Sequence, residues 1–319
     1  MSTRWQILIL IVVIITSLTL TKFFNRTLFI NNDSIENQTA SASSKTPNSL
    51  SYQQASLSNL STVQKIPARK WDILDPKTTA KATIIYSLDD GLPLYIKNSH
   101  ESHILASLTK LLTSVVVIED IGIYERIPIT QKVIDTQGLS GYLKTGQSYN
   151  ARDLLKIMLL ASSNDAAAAF EEYIGGKEIM AQKINKKASE IGLSDRFIVE
   201  DASGLSDYNY GTTDDCLKLT KYILRKHPEI FTWTQIREFL AKPLNESPGH
   251  MVYNVNELTS YRNFLGGKTG TSEMAGENLI SIFNIKDRRV VLIILGSEDR
   301  NKDVDTLINW IQKAYNFPE

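Results

Sequence analysis

Ala106-Ser107-Leu108-Thr109-Lys110-Leu111-Leu112-Thr113-Ser114-Val115-Val116-Val117-Ile118-Glu119-Asp120 is the stretch around which the chain is organised. Read as a helix, it places Ser107 in the first turn and Lys110 three residues on, on the same face. Apolar residues at 108, 111, 112, 115 and 118 surround the pair, with 116 and 117 also apolar, which predicts a helix buried on most sides. A hydroxyl and an amine in such a setting have two readings. One is a nucleophilic serine whose proton is taken by a lysine that burial has made basic near neutral pH. The other is a serine cap followed by a lysine that reaches out to water. No other Ser-x-x-Lys occurs in the sequence.

Working outward, Ala82–Tyr86 and Pro93–Ile96 flank Asp89-Asp90-Gly91, the pattern of a β-hairpin. The helix begun at Ser107 should stop at Gly122. Tyr124 to Tyr149 holds Gly138, Gly141 and Gly146 and reads as loops with short elements. Asn150 caps a helix over 154–160, and Ala161-Ser162-Ser163-Asn164 interrupts the pattern before another helix from Asp165. Amphipathic helices follow over 178–191 and 214–225. Phe264–Thr271, Asn278–Ile285 and Val290–Leu295 read as strands, the last two joined by Lys286-Asp287-Arg288, and 306–315 closes the chain as a helix. The expected fold is of the mixed α/β (α+β) class. An antiparallel sheet forms from the N-terminal hairpin and three C-terminal strands, a helical lobe is inserted between them, and the cleft between sheet and helices hosts the chemistry.

Ahead of this domain, taken as 71–319, residues 1–24 include the apolar run Trp5–Leu20, expected to be an uncleaved membrane anchor, with a signal peptide as the competing reading. Residues 25–70 are rich in Ser, Asn, Gln and Thr and read as a tether, about forty residues of which reach roughly 35 Å. The full chain has 319 residues, with 35 basic and 35 acidic side chains, so its charge gives no case for nucleic acid. A single cysteine, Cys216, excludes an internal disulfide and a cysteine-based zinc site. The four histidines show no metal-ligand spacing and are expected to be neutral surface groups; no metal and no cofactor are implied.

Ser107-Leu108-Thr109-Lys110, Ser162-Ser163-Asn164 and Lys268-Thr269-Gly270, in that order, resemble the three motifs of the penicillin-recognising serine enzymes. Within that superfamily the chain resembles the D-alanyl-D-alanine carboxypeptidases, the low-molecular-mass penicillin-binding proteins. The flanks agree, notably Leu159-Leu160-Ala161 before the second motif, Asp201-Ala202-Ser203-Gly204-Leu205, and Ala275-Gly276 after the third. Two other triplets compete. Lys144-Thr145-Gly146 lies in a glycine-rich loop before the Ser-x-Asn motif, and in Ser148-Tyr149-Asn150 the asparagine is better used as a helix cap.

The resemblance implies a fold like that of the DD-peptidases and β-lactamases, with catalytic Ser107, Lys110, Ser162, Asn164 and Lys268. Thr269, Gly270, Thr271 and Arg300 would bind substrate. It implies attack by Ser107 on the carbonyl of a peptidoglycan stem peptide ending in D-Ala-D-Ala, with Lys110 as base and Lys268 depressing the pKa of Lys110. The backbone N–H groups of Ser107 and Thr271 would hold the oxyanion, Ser162 would pass the proton to the leaving amine, and Asn164 would bind the peptide backbone. β-Lactams would be covalent inhibitors, and the domain would lie outside the cytoplasmic membrane. The sequence departs from the family in carrying Ser163 where glycine is usual and Asp303 about where an arginine is common. Many relatives carry a β-rich domain and a C-terminal anchor after the catalytic domain, whereas here the anchor is expected at the N-terminus. A D,D-endopeptidase would use the same site. A class A β-lactamase would need a Glu-x-x-Leu-Asn segment that the sequence lacks, and a β-lactam sensor would need a signalling region.

Overall fold

The computed structural model of the protein describes residues 66–138, 141–245 and 248–318. The expected anchor and most of the expected tether lie outside these residues. Among the described residues, no helix is long and apolar enough to cross a membrane.

The hairpin signal becomes strands β1 (Ala82–Ser87) and β2 (Leu92–Lys97), turning at Gly91 with φ +71°. The last third supplies β3 (Phe264–Ser272), β4 (Gly276–Ile285) and β5 (Arg288–Ser297). The sheet is antiparallel throughout, in the order β3-β4-β5-β1-β2, with β5 joined to β1 from Val290 opposite Ser87 to Leu295 opposite Ala82. Lys286 and Asp287 take the β4–β5 turn with φ +52° and +58°, the backbone a tight hairpin requires.

β5 shows why the sheet is central. Its run of six apolar residues is buried on both faces: Val291, Ile293 and Leu295 pack toward the helical lobe, and Val290, Leu292 and Ile294 toward the C-terminal helix. That helix, α6, covers the second face through Val304, Leu307 and Ile311.

The inserted lobe holds α1 (Thr109–Val116), α2 (Ala151–Leu160), α3 (Asn164–Tyr173), α4 (Lys177–Ile191) and α5 (Thr213–Lys226), and α6 spans Arg300–Ala314. All eight residues of α1 are buried. Leu111, Leu112 and Val115 are fully inaccessible, each stabilising the lobe by about 1.5–3 kcal/mol. A 3₁₀ turn, Ala106–Leu108, leads into α1, and a π turn, Val117–Ile121, carries it to Gly122, where φ of +95° ends it.

Some elements differ from the sequence reading. α6 starts at Arg300 rather than 306, because Asp299 accepts the N–H of Lys302 and caps it there. The helix Glu229–Thr234 and the hairpin Glu238–Ala241/His250–Tyr253 lack a sequence counterpart, being short and half exposed. The histidines are a correction: His100 is exposed, but His103, His227 and His250 are half-buried. The His227 ring lies 2.7 Å from Glu119, and His250 lies 2.8 Å from the Gly141 carbonyl. Burial lowers the pKa of His103.

Candidate active site

The three motifs meet where edge strand β3 lies against the start of α1. Ser107 sits on the 3₁₀ turn, half-buried, and Lys110 one turn later is fully buried. The Lys110 ammonium donates to Ser107 Oγ at 2.9 Å, to Asn164 Oδ1 at 2.8 Å and to the Ser203 carbonyl at 2.6 Å. Those three acceptors take all the protons an ammonium has. The reading of Lys110 as a lysine reaching for water therefore fails.

Each partner is itself held. Asn164 Nδ2 donates to the Gln137 carbonyl at 3.0 Å, which fixes the amide with its oxygen toward Lys110. Asn164 thus touches Lys110 as well as lining the cleft, a contact the sequence reading does not assign to it. The Ser203 carbonyl belongs to a turn organised by Asp201, whose carboxylate accepts the N–H groups of Ser203, Gly204, Leu205 and Ser206. These bonds hold the Asp201 carboxyl below its usual range against the burial that raises it. Gly204 has φ +83°, and a Cβ there would lie 1.9 Å from the Ala106 carbonyl oxygen, so this turn presses directly on the residue before Ser107. Asp-x-Ser-Gly is a side-chain-to-backbone turn signal. This turn supplies the Ser203 carbonyl to Lys110.

Ser162 and Ser163 lie in the tight connection between α2 and α3. Ser163 caps α3, its Oγ accepting the Ala166 N–H at 3.0 Å. The residue that departs from the family pattern therefore does the capping, and Ser162 and Asn164 remain for the cleft. Ser162 adopts φ +53°, a costly backbone for a non-glycine, and its Oγ accepts from Lys268 Nζ at 2.9 Å.

Lys268 lies on β3, 1% exposed, and also donates to the Thr269 carbonyl at 2.8 Å. Two residues on, a Cβ at Gly270 would lie 2.8 Å from the Leu105 carbonyl and 3.2 Å from Ser107 N, so glycine is what lets β3 approach the Ser107 turn. Asn278 on β4 brackets the same turn, donating to the carbonyls of Ile104 and Leu105 and accepting from Gly296 N–H. No sequence signal singled it out.

Arg300, at the start of α6, donates to Thr271 Oγ1 at 2.6 Å and to the Gly270 carbonyl at 3.2 Å. The Asp303 carboxylate points elsewhere, accepting from Thr79, Ala80 and Ser297. Arg300 thus stands as the cation at that end of β3. The competing triplets are outside the cleft: Lys144 is exposed, and Asn150 accepts the Asp153 N–H at 2.8 Å as the cap of α2.

Burial brings the Lys110 amine down to about 7, while the charges of Asp201 and Glu171 act to raise it. Burial, rather than Lys268, is the main cause, which corrects the expectation drawn from the resemblance. Lys268 is itself pushed well below the ordinary lysine range by burial, and further by Lys110 and Arg300.

The profile of the family described as D-alanyl-D-alanine carboxypeptidase matches residues 70–299. D-alanyl-D-alanine carboxypeptidase DacF of Bacillus subtilis is 26% identical over 246 residues, covering 74% of this chain and 63% of DacF. A D-alanyl-D-alanine endopeptidase of Pseudomonas aeruginosa is 27% identical over 266 residues, covering 81% of this chain and 85% of its own. The crystal structure of a D-alanyl-D-alanine carboxypeptidase from Mycobacterium tuberculosis superposes with a TM-score of 0.69 at 23% identity, over 76% of this chain and 95% of that one, a likeness of fold. Penicillin-binding protein D2 of Listeria monocytogenes in its ampicillin-bound form gives a TM-score of 0.65 at 26% identity, over 74% of this chain and 99% of its own. By the extent of the profile match, with the motifs gathered in one cleft, this chain belongs to the D-alanyl-D-alanine carboxypeptidase family.

Proposed function

We propose that the protein is a serine D-Ala-D-Ala carboxypeptidase that removes the terminal D-alanine of peptidoglycan stem peptides through an acyl-enzyme on Ser107. The observation that carries this reading is the environment of Lys110. Asn164 Oδ1 and the Ser203 carbonyl occupy two of its N–H positions, so the third, at 2.9 Å from Ser107 Oγ, is where the deprotonated amine presents its lone pair. Ser107 Oγ attacks the carbonyl carbon of the penultimate D-alanine as its proton passes to Lys110. The oxyanion is held by the N–H groups of Ser107 and Thr271. As the C–N bond breaks, the leaving amine takes the proton back by way of Ser162, and water then hydrolyses the ester. The substrate lies along β3, whose edge offers an extended peptide its backbone groups. Lys268, Thr269, Thr271 and Arg300 receive its terminal carboxylate.

The same acylation serves a D,D-endopeptidase, the activity by which the Pseudomonas relative is named. Mass analysis of products from a pentapeptide muropeptide and from a cross-linked dimer separates the two. Loss of one alanine from the monomer is expected; conversion of the dimer alone moves the assignment to endopeptidase, and no product from either overturns both. β-Lactams should acylate the same oxygen. A labelled penicillin is expected to give a stable adduct on the peptide containing Ala106 to Lys110, and label on a different serine would sink the assignment of the nucleophile.

The substrate lies in the cell wall, so residues from Asn25 onward are proposed to be extracytoplasmic, anchored through Trp5–Leu20. Protease shaving of spheroplasts should remove the domain. Survival until the cells are lysed would count against this topology.

A further inference from the structure

Glu171 stands two turns after Asn164 on α3 and so returns to nearly the same face of the helix. Its Oε1 accepts the Ala202 N–H at 2.7 Å. The Ala202 carbonyl accepts from Thr113 Oγ1 of α1 at 2.7 Å, and the next carbonyl, Ser203, meets Lys110 Nζ. One side of the 201–206 turn is thus pinned by Asp201, and the other by Glu171 and Thr113. Glu171 lines a cavity of about 420 Å³ together with Asn164, Asp201, Ser203 and Lys177. Glu171 thus bonds the residue next to the one whose carbonyl meets Lys110.

Building on the assignment of Ser107 and Lys110 above, we propose that Glu171 is a positioning residue of this active site. Its carboxylate holds the Ala202 N–H so that the Ser203 carbonyl stays on Lys110, and it sets a negative charge near the amine.

The two roles have different signatures. The hydrogen bond fixes the direction of the Lys110 lone pair, because a turn that slackens releases the Ser203 carbonyl. The charge opposes the effect of burial on Lys110 and keeps the amine from becoming too weak a base. Asp201 faces Lys110 with the same sign, while Lys268 is itself pushed toward its neutral form by burial, Lys110 and Arg300. Around Glu171 itself, burial and the charges of Asp201 and Glu178 raise its pKa, while the Ala202 N–H and Lys177 lower it.

Glu171→Gln keeps an acceptor for Ala202 and removes the charge; Glu171→Ala removes both. The measurement is the second-order rate constant for acylation of Ser107 by a fluorescent penicillin, from about pH 5 to about pH 9. For Glu171→Gln the inflection is expected to move to lower pH by roughly 0.5 or more, with the alkaline plateau within about threefold of wild type. Glu171→Ala is expected to show the same direction of movement and a plateau about tenfold lower, as the Ala202 N–H loses its acceptor. A purely structural role would lower the melting temperature and leave the inflection in place. Should Glu171→Ala not fold, Glu171→Gln still decides the matter. An inflection that stays put or rises in Glu171→Gln, with wild type labelled at Ser107, overturns the role of Glu171 alone. A wild-type protein that takes no label at Ser107 overturns the assignment on which the proposal rests.

Discussion

Lys110→Met is expected to slow acylation of Ser107 by a labelled penicillin about a thousandfold at about pH 8, within the range a positioned general base contributes. Methionine matches the length of the lysine stem and fills the same buried site, so the loss is one of chemistry. The energetics of the substitution nearly offset. Asn164 Oδ1 and the Ser203 carbonyl lose their donor, at about 1–3 kcal/mol each, while a fully buried amine and its desolvation cost are removed. The variant should therefore fold, which circular dichroism and the melting temperature check. The pH profile adds a second signature. In wild type the rate should rise with pH through about 7, because there the amine loses the proton that blocks its lone pair. Lys110→Met should show no such rise. Acylation within tenfold of wild type, or an unchanged inflection, would mean that another group takes the Ser107 proton.

The sequence makes some of this site legible and hides the rest for physical reasons. Ser107 and Lys110 are one helical turn apart, so local periodicity alone brings them together. The pairing of the N-terminal hairpin with the last strands follows from apolar runs that only a sheet buried on both faces can absorb, and β5 is the clear case. The Ser203 carbonyl is different. It is a backbone group, and any residue could supply it, so nothing in the identity of Ser203 announces the contact. What the sequence does carry is Asp201, whose carboxylate builds the turn, and Gly204, without which the turn could not reach Ala106. Glu171 and Asn278 are hidden in another way. Each acts through backbone groups far along the chain, at Ala202 and at Ile104 and Leu105, so only the folded arrangement joins cause to effect. Ser163 shows the converse: it stands inside the second motif where glycine is usual, yet its hydroxyl serves the start of α3.

Lys268→Ala is expected to lower kcat/KM for a D-Ala-D-Ala peptide at least about a hundredfold, while Lys144→Ala changes it less than about twofold. The difference rests on where the two Lys-Thr-Gly triplets lie. Lys144 is exposed and engages Gln147 through its backbone N–H, which alanine keeps. Lys268 is buried, with a hydroxyl and a carbonyl as its acceptors, and burial together with Lys110 and Arg300 favours its neutral form in the resting site. An arriving carboxylate reverses that preference, because the anion stabilises the ammonium. Substrate binding is thereby linked to protonation of Lys268, and the resulting charge-assisted contact is worth about 1.5–3 kcal/mol. Lys268→Ala forfeits that contact. It also frees Ser162, whose strained backbone is set to place its hydroxyl on this amine. Lys268→Arg separates these contributions. It keeps a cation for the carboxylate but brings a planar group into a space occupied by a compact ammonium, so partial activity is expected, between wild type and Lys268→Ala. Equal losses in Lys144→Ala and Lys268→Ala would overturn the assignment of the third motif to β3. Full activity in Lys268→Ala would mean that Arg300, already bonded to Thr271, suffices to hold the carboxylate.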